Sequence, residues 1–394
     1  MITHELDARL FRGVDHLEPT TRGLRPHRLP AWVGTQFPDP QLLGMEGQPS
    51  GVRLRFRTRS TRIVLVSHAD RFAYAGLERP RGAIDVRVDG ALVLRDHLTG
   101  GDVTTVDMRT GEAQRASGEP HATDVSDLTD AEHTIEIWLP HNERIDVVSL
   151  ATDAPITPAD DGGEPLWVHH GSSISQGSNA AGPSEIWPAV AARSLGFDLR
   201  NLGLGGSAFA DPFLARTIRD APADVISLKF GINIVNLDAM RLRTFVPAVH
   251  GFLDTVREGH PDTPILLMSP IHCTIHEHTP GPGAFDPEAA AEGRVRFVAT
   301  GTEGDTELGR LTLTTVRQAL REVVAHRSDD PRLRLIEGTD LYGAEDERRL
   351  PLPDALHPDT ETHRVIGERF ADCVRSDARV LAGLSVSRAT SGGA

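Results

Sequence analysis

The sequence predicts a two-domain protein in which a β-sandwich is followed by an α/β domain built on a parallel sheet. The chain has 394 residues, more than one hydrophobic core usually serves. Through roughly the first 150 residues, apolar and polar side chains alternate with a period of two, as in half-buried strands. Beyond residue 165, short apolar runs alternate with helical periodicities, which is typical of a parallel sheet covered by helices on both faces.

The N-terminal half is expected to form antiparallel sheets. Apolar and charged residues alternate at 52–57 and again at 84–89. Asp89-Gly90 is a two-residue turn signal, after which residues 91–95 can return as the partner strand. Residues 135–139 form another such face. One-sided alternation indicates a buried face and a solvent-facing one, and two packed sheets of this kind make a sandwich.

A polar stretch rich in Gly and Pro, TPADDGGEP at 157–165, marks the boundary between the halves. We predict a sandwich domain at 1–160, an α/β domain at 164–385 and a disordered tail at 386–394, where the residues are small and polar.

The C-terminal half supplies candidate strands and helices in alternation. The candidate strands lie at 166–169, 225–230, 265–269 and 333–336. Apolar residues at helical spacing follow at 245–256, 313–323 and 365–374. Ligands of such sheets bind at the carboxyl ends of the strands.

Composition narrows the class of partner. The net charge of −15 disfavours nucleic acid and anionic membranes, which both attract basic surfaces. Two cysteines, Cys273 and Cys373, do not make a disulfide framework. The first residues carry acids without an apolar stretch, so we predict no signal peptide, and no run is long enough for a transmembrane helix. A cytoplasmic location is therefore expected.

The stretch VHHGSSISQG at 168–177 contains three serines, which follow the predicted strand at 166–169. Serines are common in turns because their hydroxyls bond to nearby backbone groups, so this stretch alone does not identify a nucleophile. A nucleophilic serine needs a base, an acid that orients the base, and hydrogen-bond donors for the oxyanion.

Three later segments offer these groups. NLGLGGSAF at 201–209 is a Gly-rich turn that can expose backbone N–H groups, and FGINIVN at 230–236 places Asn233 after a strand. PDALHPD at 353–359 places Asp354 and His357 three residues apart, so that one turn can present both. Each also has a structural interpretation, as a glycine turn, a strand-end cap or a loop ion pair.

The four segments, in this order, resemble the blocks of the SGNH hydrolases, also called the GDSL family. The family's G-D-S-[LI] block is Gly171-Ser172-Ser173-Ile174 here, which identifies Ser173 as the nucleophile. The glycine of the second block corresponds to Gly206. Ser172 stands where the family usually has Asp, so local hydrogen bonding differs and Ser172 is a second candidate hydroxyl.

The remaining blocks complete the resemblance, which covers about 164–380. The G-x-N block is GIN, ending at Asn233, and the D-x-x-H block is DALH, from Asp354 to His357. The resemblance implies a three-layer α/β/α domain of the flavodoxin-like kind. The preceding sandwich, of a jelly-roll or carbohydrate-binding type, resembles the added domain of carbohydrate esterases and of some acyltransferases.

The resemblance also implies roles for the site residues. His357 removes the proton of Ser173 as it attacks an ester carbonyl, and Asp354 holds the imidazole in the required tautomer. The N–H groups of Ser173 and Gly206 and the side chain of Asn233 bind the oxyanion. No metal or cofactor is expected.

Other chemistry-bearing residues are given structural interpretations. His169 and His170 are adjacent on a strand and so point to opposite faces. His272, His276 and His278, with Cys273 and Glu277, could bind zinc, but we favour a loop of solvated histidines at the rim of the site. The segment 279–309 has Gly and Pro clusters and little periodicity, so we expect a long loop and hypothesise a substrate lid.

The predicted function is a serine esterase that cleaves a small-molecule acyl ester, such as an acetyl or other short acyl group on a sugar or small metabolite. One alternative is an acyltransferase with the same triad that moves the acyl group to a natural-product hydroxyl. Another is a non-catalytic carbohydrate-binding module, which an intact Ser–His–Asp set disfavours. The acyl group, the acceptor and the oligomeric state are not readable from the sequence.

Overall fold

The computed structural model describes residues 1–77, 80–107, 110–159 and 163–380. Contacts divide the chain into two units, Met1–Gly163 with Ala181–Ser184, and Glu164–Ala180 with Glu185–Ala394. The domain limits 1–160 and 164–385 stay predictions, and the predicted tail at 386–394 lies outside the described residues.

The first unit is rich in strands. They are β1 (Ile2–His4), β2 (Phe11–Arg12), β3 (His16–Pro19), β4 (Leu24–His27), β5 (Arg53–Thr58), β6 (Ile63–Tyr74), β7 (Ala83–Val88), β8 (Ala91–His97), β9 (Asp102–Val106), β10 (Ala113–Ala116), β11 (His121–Val125), β12 (His133–Trp138), β13 (Arg144–Thr152) and β14 (Ile156–Pro158). A 3-10 helix (Ala8–Leu10) and two short helices that the sequence analysis did not predict, α1 (Ala31–Gln36) and α2 (Pro40–Glu46), accompany them.

Within the described residues these strands form two sheets. One has the order β10-β9-β6-β13-β4-β3, with β1 beside β13 and β11 beside β6. The other has the order β14-β5-β12-β7-β8, with β2 beside β5. Apolar side chains of both sheets, including Leu54, Leu65, Ile135 and Val147, share one hydrophobic core. The predicted sandwich is confirmed.

The polar faces of these strands are less exposed than the alternation predicts. Arg53 is 3% exposed, with its guanidinium carbon 4.7 Å from the Trp138 ring centroid and its Nε 3.3 Å from a carboxylate oxygen of Glu136. Asp85 is fully buried and accepts hydrogen bonds of 2.8 and 3.0 Å from Arg95. Paired charges and ring stacking allow such groups to be buried, so alternation alone overestimates the solvent-facing surface.

The second unit alternates strands and helices. Its strands are β15 (Leu166–Gly171), β16 (Asp198–Gly203), β17 (Val225–Lys229), β18 (Ile265–Met268), β19 (Gly283–Phe285), β20 (Phe297–Ala299) and β21 (Leu333–Ile336). Its α-helices are α3 (Ser173–Gln176), α4 (Trp187–Leu195), α5 (Pro212–Asp220), α6 (Ile232–Asn236), α7 (Leu242–Gly259), α8 (Thr274–Glu277), α9 (Pro287–Ala291), α10 (Leu313–Ala325), α11 (Gly338–Leu341), α12 (Ala344–Arg349) and α13 (Thr360–Ser376). Two further 3-10 helices lie at Pro183–Glu185 and Glu303–Leu308. No helix within the described residues combines the length and apolarity needed to cross a membrane.

A five-stranded parallel sheet organises this unit. Its order is β16-β15-β17-β18-β21, which is the 2-1-3-4-5 order of flavodoxin-like folds. Helix α13 packs against α4 and α11, and α7 packs against α5 and α10. The predicted parallel sheet is confirmed. The sequence pattern does not reveal β16, because this strand runs into the Gly-rich segment, which is typical of a turn.

The 279–309 segment contains regular structure that the sequence analysis did not predict. Strands β19 and β20 pair antiparallel, with Phe285 opposite Phe297, and helix α9 lies between them. These elements span only three to six residues, too few to establish a periodicity. The expectation of one long loop is wrong, because short elements interrupt it.

Candidate active site

The structure separates the roles of two adjacent serines at the end of β15. Ser172 is the N-cap of α3, and its hydroxyl accepts a 3.4 Å hydrogen bond from the Ile174 N–H. Ser173 is the first helical residue, and its Oγ lies 2.9 Å from Nε2 of His357. Ser172 therefore caps α3, whereas the hydroxyl of Ser173 faces the imidazole of His357, which can act as a base.

The three-residue spacing of Asp354 and His357 folds the carboxylate against the imidazole. Nδ1 of His357 lies 2.8 Å from Oδ2 of Asp354. The other oxygen, Oδ1, accepts hydrogen bonds of 3.0 and 2.7 Å from the N–H groups of Leu356 and His357. Ala355 adopts a left-handed conformation with φ 65°, which turns the loop back on itself.

The surroundings of Asp354 keep its carboxylate charged. Burial raises the pKa of Asp354, but the hydrogen bonds and charge of His357 lower it by more, so the pKa lies below its ordinary value. An ionised Asp354 accepts a hydrogen bond from the Nδ1–H group of His357. Nε2 is then the ring nitrogen that can take a proton from Ser173.

The structure adds a residue that the sequence analysis missed. Asn179 donates a 3.1 Å hydrogen bond from Nδ2 to Oδ2 of Asp354, the oxygen that also faces His357. Its backbone is left-handed, with φ 67°, a conformation that Asn adopts more readily than most residues. The two residues are 175 positions apart, so no local sequence signal connects them.

Phe297 of β20 also contacts the loop of Asp354 and His357. Its N–H donates a 2.8 Å hydrogen bond to the carbonyl oxygen of Asp354. Its ring centroid lies 5.4 Å from that of the His357 imidazole, with the planes at 76°. The 279–309 segment therefore reaches this loop, and its role as a substrate lid stays a hypothesis.

The two predicted oxyanion blocks are joined by a hydrogen bond. The Ala208 N–H donates to Oδ1 of Asn233 over 3.1 Å, and Asn233 is 5% exposed. With the amide oxygen engaged, the NH₂ group of Asn233 is the end able to donate. Gly206 lies in the same turn as Ala208 and has φ 66°, which favours glycine.

Gly203 needs to be glycine because the backbone of β16 passes close to that of α3. It ends β16, and a Cβ at this position would lie 2.4 Å from the backbone nitrogen of Gln176 in α3. The absence of a side chain thus lets β16 approach the helix that begins at Ser173.

His169 and His170 are fully buried and bond to different partners, as their opposite faces predict. The His169 ring lies 2.7 Å from Oγ of Ser227 and 2.8 Å from Oγ of Ser175. Nδ1 of His170 lies 2.9 Å from the carbonyl oxygen of Leu202. Burial lowers the pKa of both rings, which favours neutral, structural histidines.

The possible zinc cluster is dispersed among separate partners. His272 lies between Glu277 and Glu347, at 3.3 and 3.0 Å, whereas His276 lies 3.0 Å from Oδ1 of Asn236. Glu277 also forms a buried ion pair with Arg317, at 2.6 Å. Within the described ranges, no group of three or more His, Cys, Asp or Glu side chains is arranged to hold a metal ion.

Lys229, at the end of β17, is 3% exposed, and its Nζ has no hydrogen-bond partner within the described residues. Burial, together with the charge of Arg317, lowers its pKa to about 8. We have no physical account of why this position is a lysine.

Comparison with known proteins identifies the second unit. Residues 170–365 match the GDSL-like lipase/acylhydrolase family. The chain carries a GDSL-like lipase/acylhydrolase domain. Residues 10–147, within the sandwich, match the SsfX3 N-terminal domain family. No curated protein matches the chain.

Solved structures resemble both units. The salicylyl-acyltransferase SsfX3 from a tetracycline biosynthetic pathway is 25% identical, with a TM-score of 0.76 over 94% of this chain and 95% of that one. A putative GDSL-like lipase from Bacteroides ovatus ATCC 8483 is 19% identical, with a TM-score of 0.66 over 95% and 96%. An active-site mutant of a family two carbohydrate esterase from Clostridium thermocellum is 15% identical, with a TM-score of 0.55 over 83% and 92%. The last two establish a shared fold.

Proposed function

We propose that this GDSL-like protein is a serine esterase in which Ser173 is the nucleophile, His357 the general base and Asp354 the orienting acid. The observation that carries the proposal is the continuous chain from Ser173 Oγ to His357 Nε2, at 2.9 Å, and from His357 Nδ1 to Asp354 Oδ2, at 2.8 Å. These distances allow direct proton transfer without rearrangement.

The reaction follows from that chain. Oγ of Ser173 attacks the ester carbonyl carbon while Nε2 of His357 takes the hydroxyl proton. The tetrahedral intermediate then collapses, the C–O bond to the alcohol breaks, and His357 returns the proton to the departing oxygen. Water attacks the acyl-enzyme by the reverse route and releases the acid.

Three donors are proposed for the oxyanion. The N–H of Ser173 belongs to the first turn of α3, where backbone donors have no partner within the helix. The N–H of Gly206 and the NH₂ group of Asn233 complete the set. Removing one such donor typically costs about 3 kcal/mol of transition-state stabilisation.

The proposed substrate is a small-molecule ester carrying a short acyl group, on a sugar or another small metabolite. The similarity to a putative GDSL-like lipase covers 95% of this chain and that to a carbohydrate esterase covers 83%, so both extend into the first unit. Transfer to a hydroxyl acceptor is the second candidate, because the similarity to the salicylyl-acyltransferase extends over 94% of this chain. The two reactions share every step up to the acyl-enzyme and differ in what attacks it.

The test uses p-nitrophenyl esters of short acids, in water and with added alcohols, while nitrophenol release and intact protein mass are followed. We expect release that Ser173→Ala abolishes and that Ser172→Ala, the matched control, retains. Free acid as the main product supports an esterase, whereas a new ester supports a transferase. Release that is unchanged in Ser173→Ala would refute the proposed nucleophile.

A further inference from the structure

An aromatic surface extends from the proposed active site to solvent. Phe297 is held against the loop of Asp354 and His357 by the backbone hydrogen bond and the ring contact described above. Phe285 faces it from β19, with ring centroids 5.1 Å apart. Phe285 is 40% exposed, so the pair joins the catalytic imidazole to the surface.

Few large apolar side chains among the described residues of the second unit are highly exposed. Among its described residues, the large hydrophobic side chains with high exposure are Leu237, Leu242, Phe285 and Leu308. All four lie at 237–242 or in the 279–309 segment. These stretches are in contact, since the Leu242 N–H donates a 2.9 Å hydrogen bond to the carbonyl oxygen of Gly309. Of the four, Phe285 is the one whose ring contact leads, through Phe297, to the imidazole of His357.

The chemistry of His357 indicates which part of a substrate meets this surface. His357 must protonate the departing alcohol, so the alcohol portion of the ester lies beside the imidazole in the transition state. An acceptor hydroxyl that attacks the acyl-enzyme must give its proton to the same nitrogen and therefore occupies the same place. Phe297 contacts the imidazole itself.

We propose that Phe297 and Phe285 form the subsite for the alcohol portion of the substrate, and that this subsite selects alcohols with a flat apolar face. An aromatic ring and the apolar face of a pyranose both provide such a face. The proposal rests on the proposed function, because it uses the proton transfer by His357. It makes Phe285 a specificity-determining residue for the alcohol and not for the acyl group.

The variant that tests this is Phe285→Ala, because Phe285 is partly exposed and its loss perturbs packing little. Leu308→Ala, which removes a side chain that is 75% exposed from the same segment, is the matched control. One ester series keeps the acetyl group and varies the alcohol through ethyl, phenyl, 2-naphthyl and methyl-xyloside. A second series keeps ethanol and varies the acid through acetate, benzoate and 2-naphthoate.

Each variant is compared with the wild type on the same ester, so the intrinsic reactivity of the leaving group cancels. We expect Phe285→Ala to lower kcat/KM about 3- to 10-fold for the flat alcohols, the range for one aromatic contact. Ethyl esters of every acid should be unaffected, and Leu308→Ala should match the wild type throughout. The phenyl and xyloside arms show whether aryl or sugar alcohols are preferred.

Two outcomes would overturn the proposal, namely a loss that follows the acid series, or no loss in either series. Binding of 2-naphthol and of methyl xyloside to Ser173→Ala is measured by NMR titration. Binding needs no catalysis, so this measurement tests the subsite even if the proposed function fails. If no ester is cleaved, weaker binding in Ser173→Ala/Phe285→Ala than in Ser173→Ala still supports the subsite. Equal binding in the two proteins refutes it.

Discussion

Replacing Asn179 by glycine removes the amide that donates to Asp354 while keeping the backbone relaxed. The Nδ2 atom lies 3.1 Å from Oδ2 of Asp354, and the residue has φ 67°. Glycine adopts this left-handed conformation without penalty, whereas alanine pays roughly 1–2 kcal/mol for it. The pair Asn179→Gly and Asn179→Ala therefore separates the hydrogen bond from the backbone.

The size of the effect follows from the environment of the two groups. A hydrogen bond to a charged group contributes about 1.5–3 kcal/mol when it is shielded from water. Asp354 is 8% exposed but Asn179 is exposed, so water competes and the contribution is smaller than this range, about 1–1.5 kcal/mol. That corresponds to a fall in kcat/KM of about 5- to 10-fold in both variants. The thermal midpoint should fall in both variants, and it should fall further in the alanine variant if the left-handed backbone adds its own cost.

The assay is kcat/KM for a p-nitrophenyl ester across pH 4–9, with thermal unfolding of each protein as the stability control. A third variant, Asn179→Asp, tolerates the left-handed backbone but places a second carboxylate beside Asp354. A second carboxylate disfavours ionisation of Asp354 and favours the protonated imidazolium of His357, which cannot act as the base. The acid limb of the profile should therefore move to higher pH. Full activity of Asn179→Gly with an unchanged pH profile in Asn179→Asp would refute a positioning role for Asn179.

Three further predictions concern other residues of the second unit. Asn233→Leu should lower kcat about 100- to 1,000-fold with little change in KM, and equal kcat values in a folded variant would exclude an oxyanion role. Gly203→Ala should lower both the thermal midpoint and kcat/KM, since its Cβ would lie 2.4 Å from the Gln176 nitrogen. Unchanged values would show that α3 can move away from the added Cβ without loss of stability or activity. Burial lowers the pKa of His363 to about 4, so the unfolded chain takes up a proton near pH 6.5 that the folded protein does not. Stability should therefore fall by about 2 kcal/mol between pH 7 and pH 5 from this residue, and urea midpoints of His363→Gln should show a correspondingly smaller fall.

Most of the secondary structure that positions the site could be predicted from the sequence. Residues 225–230 and 265–269 are apolar runs, and the structure has β17 at Val225–Lys229 and β18 at Ile265–Met268. The apolar spacing at 245–256 lies within α7, Leu242–Gly259. Such elements depend on neighbouring residues, so a local period is enough to reveal them.

The candidate site was predictable to the extent that its residues lie in short blocks. The sequence placed Ser173 after a strand, Asn233 after the next strand of the sheet, and Asp354 three residues before His357. Their mutual distances follow from the shared carboxyl edge of a parallel sheet. The resemblance favours Ser173 over Ser172, and the structure places the Ser173 hydroxyl 2.9 Å from His357 Nε2 while Ser172 caps α3.

The sequence by itself determined the class of fold, the order of the blocks and the residue types able to carry acyl transfer. Each of these depends on residues that are close together in the chain. Tertiary structure alone decided that Asn179 reaches Asp354, that Phe297 lies against His357, and that Arg53 and Asp85 are buried. These facts depend on chain segments far apart in sequence meeting in space. No period or motif encodes such a meeting, since it is set by the packing of the whole domain.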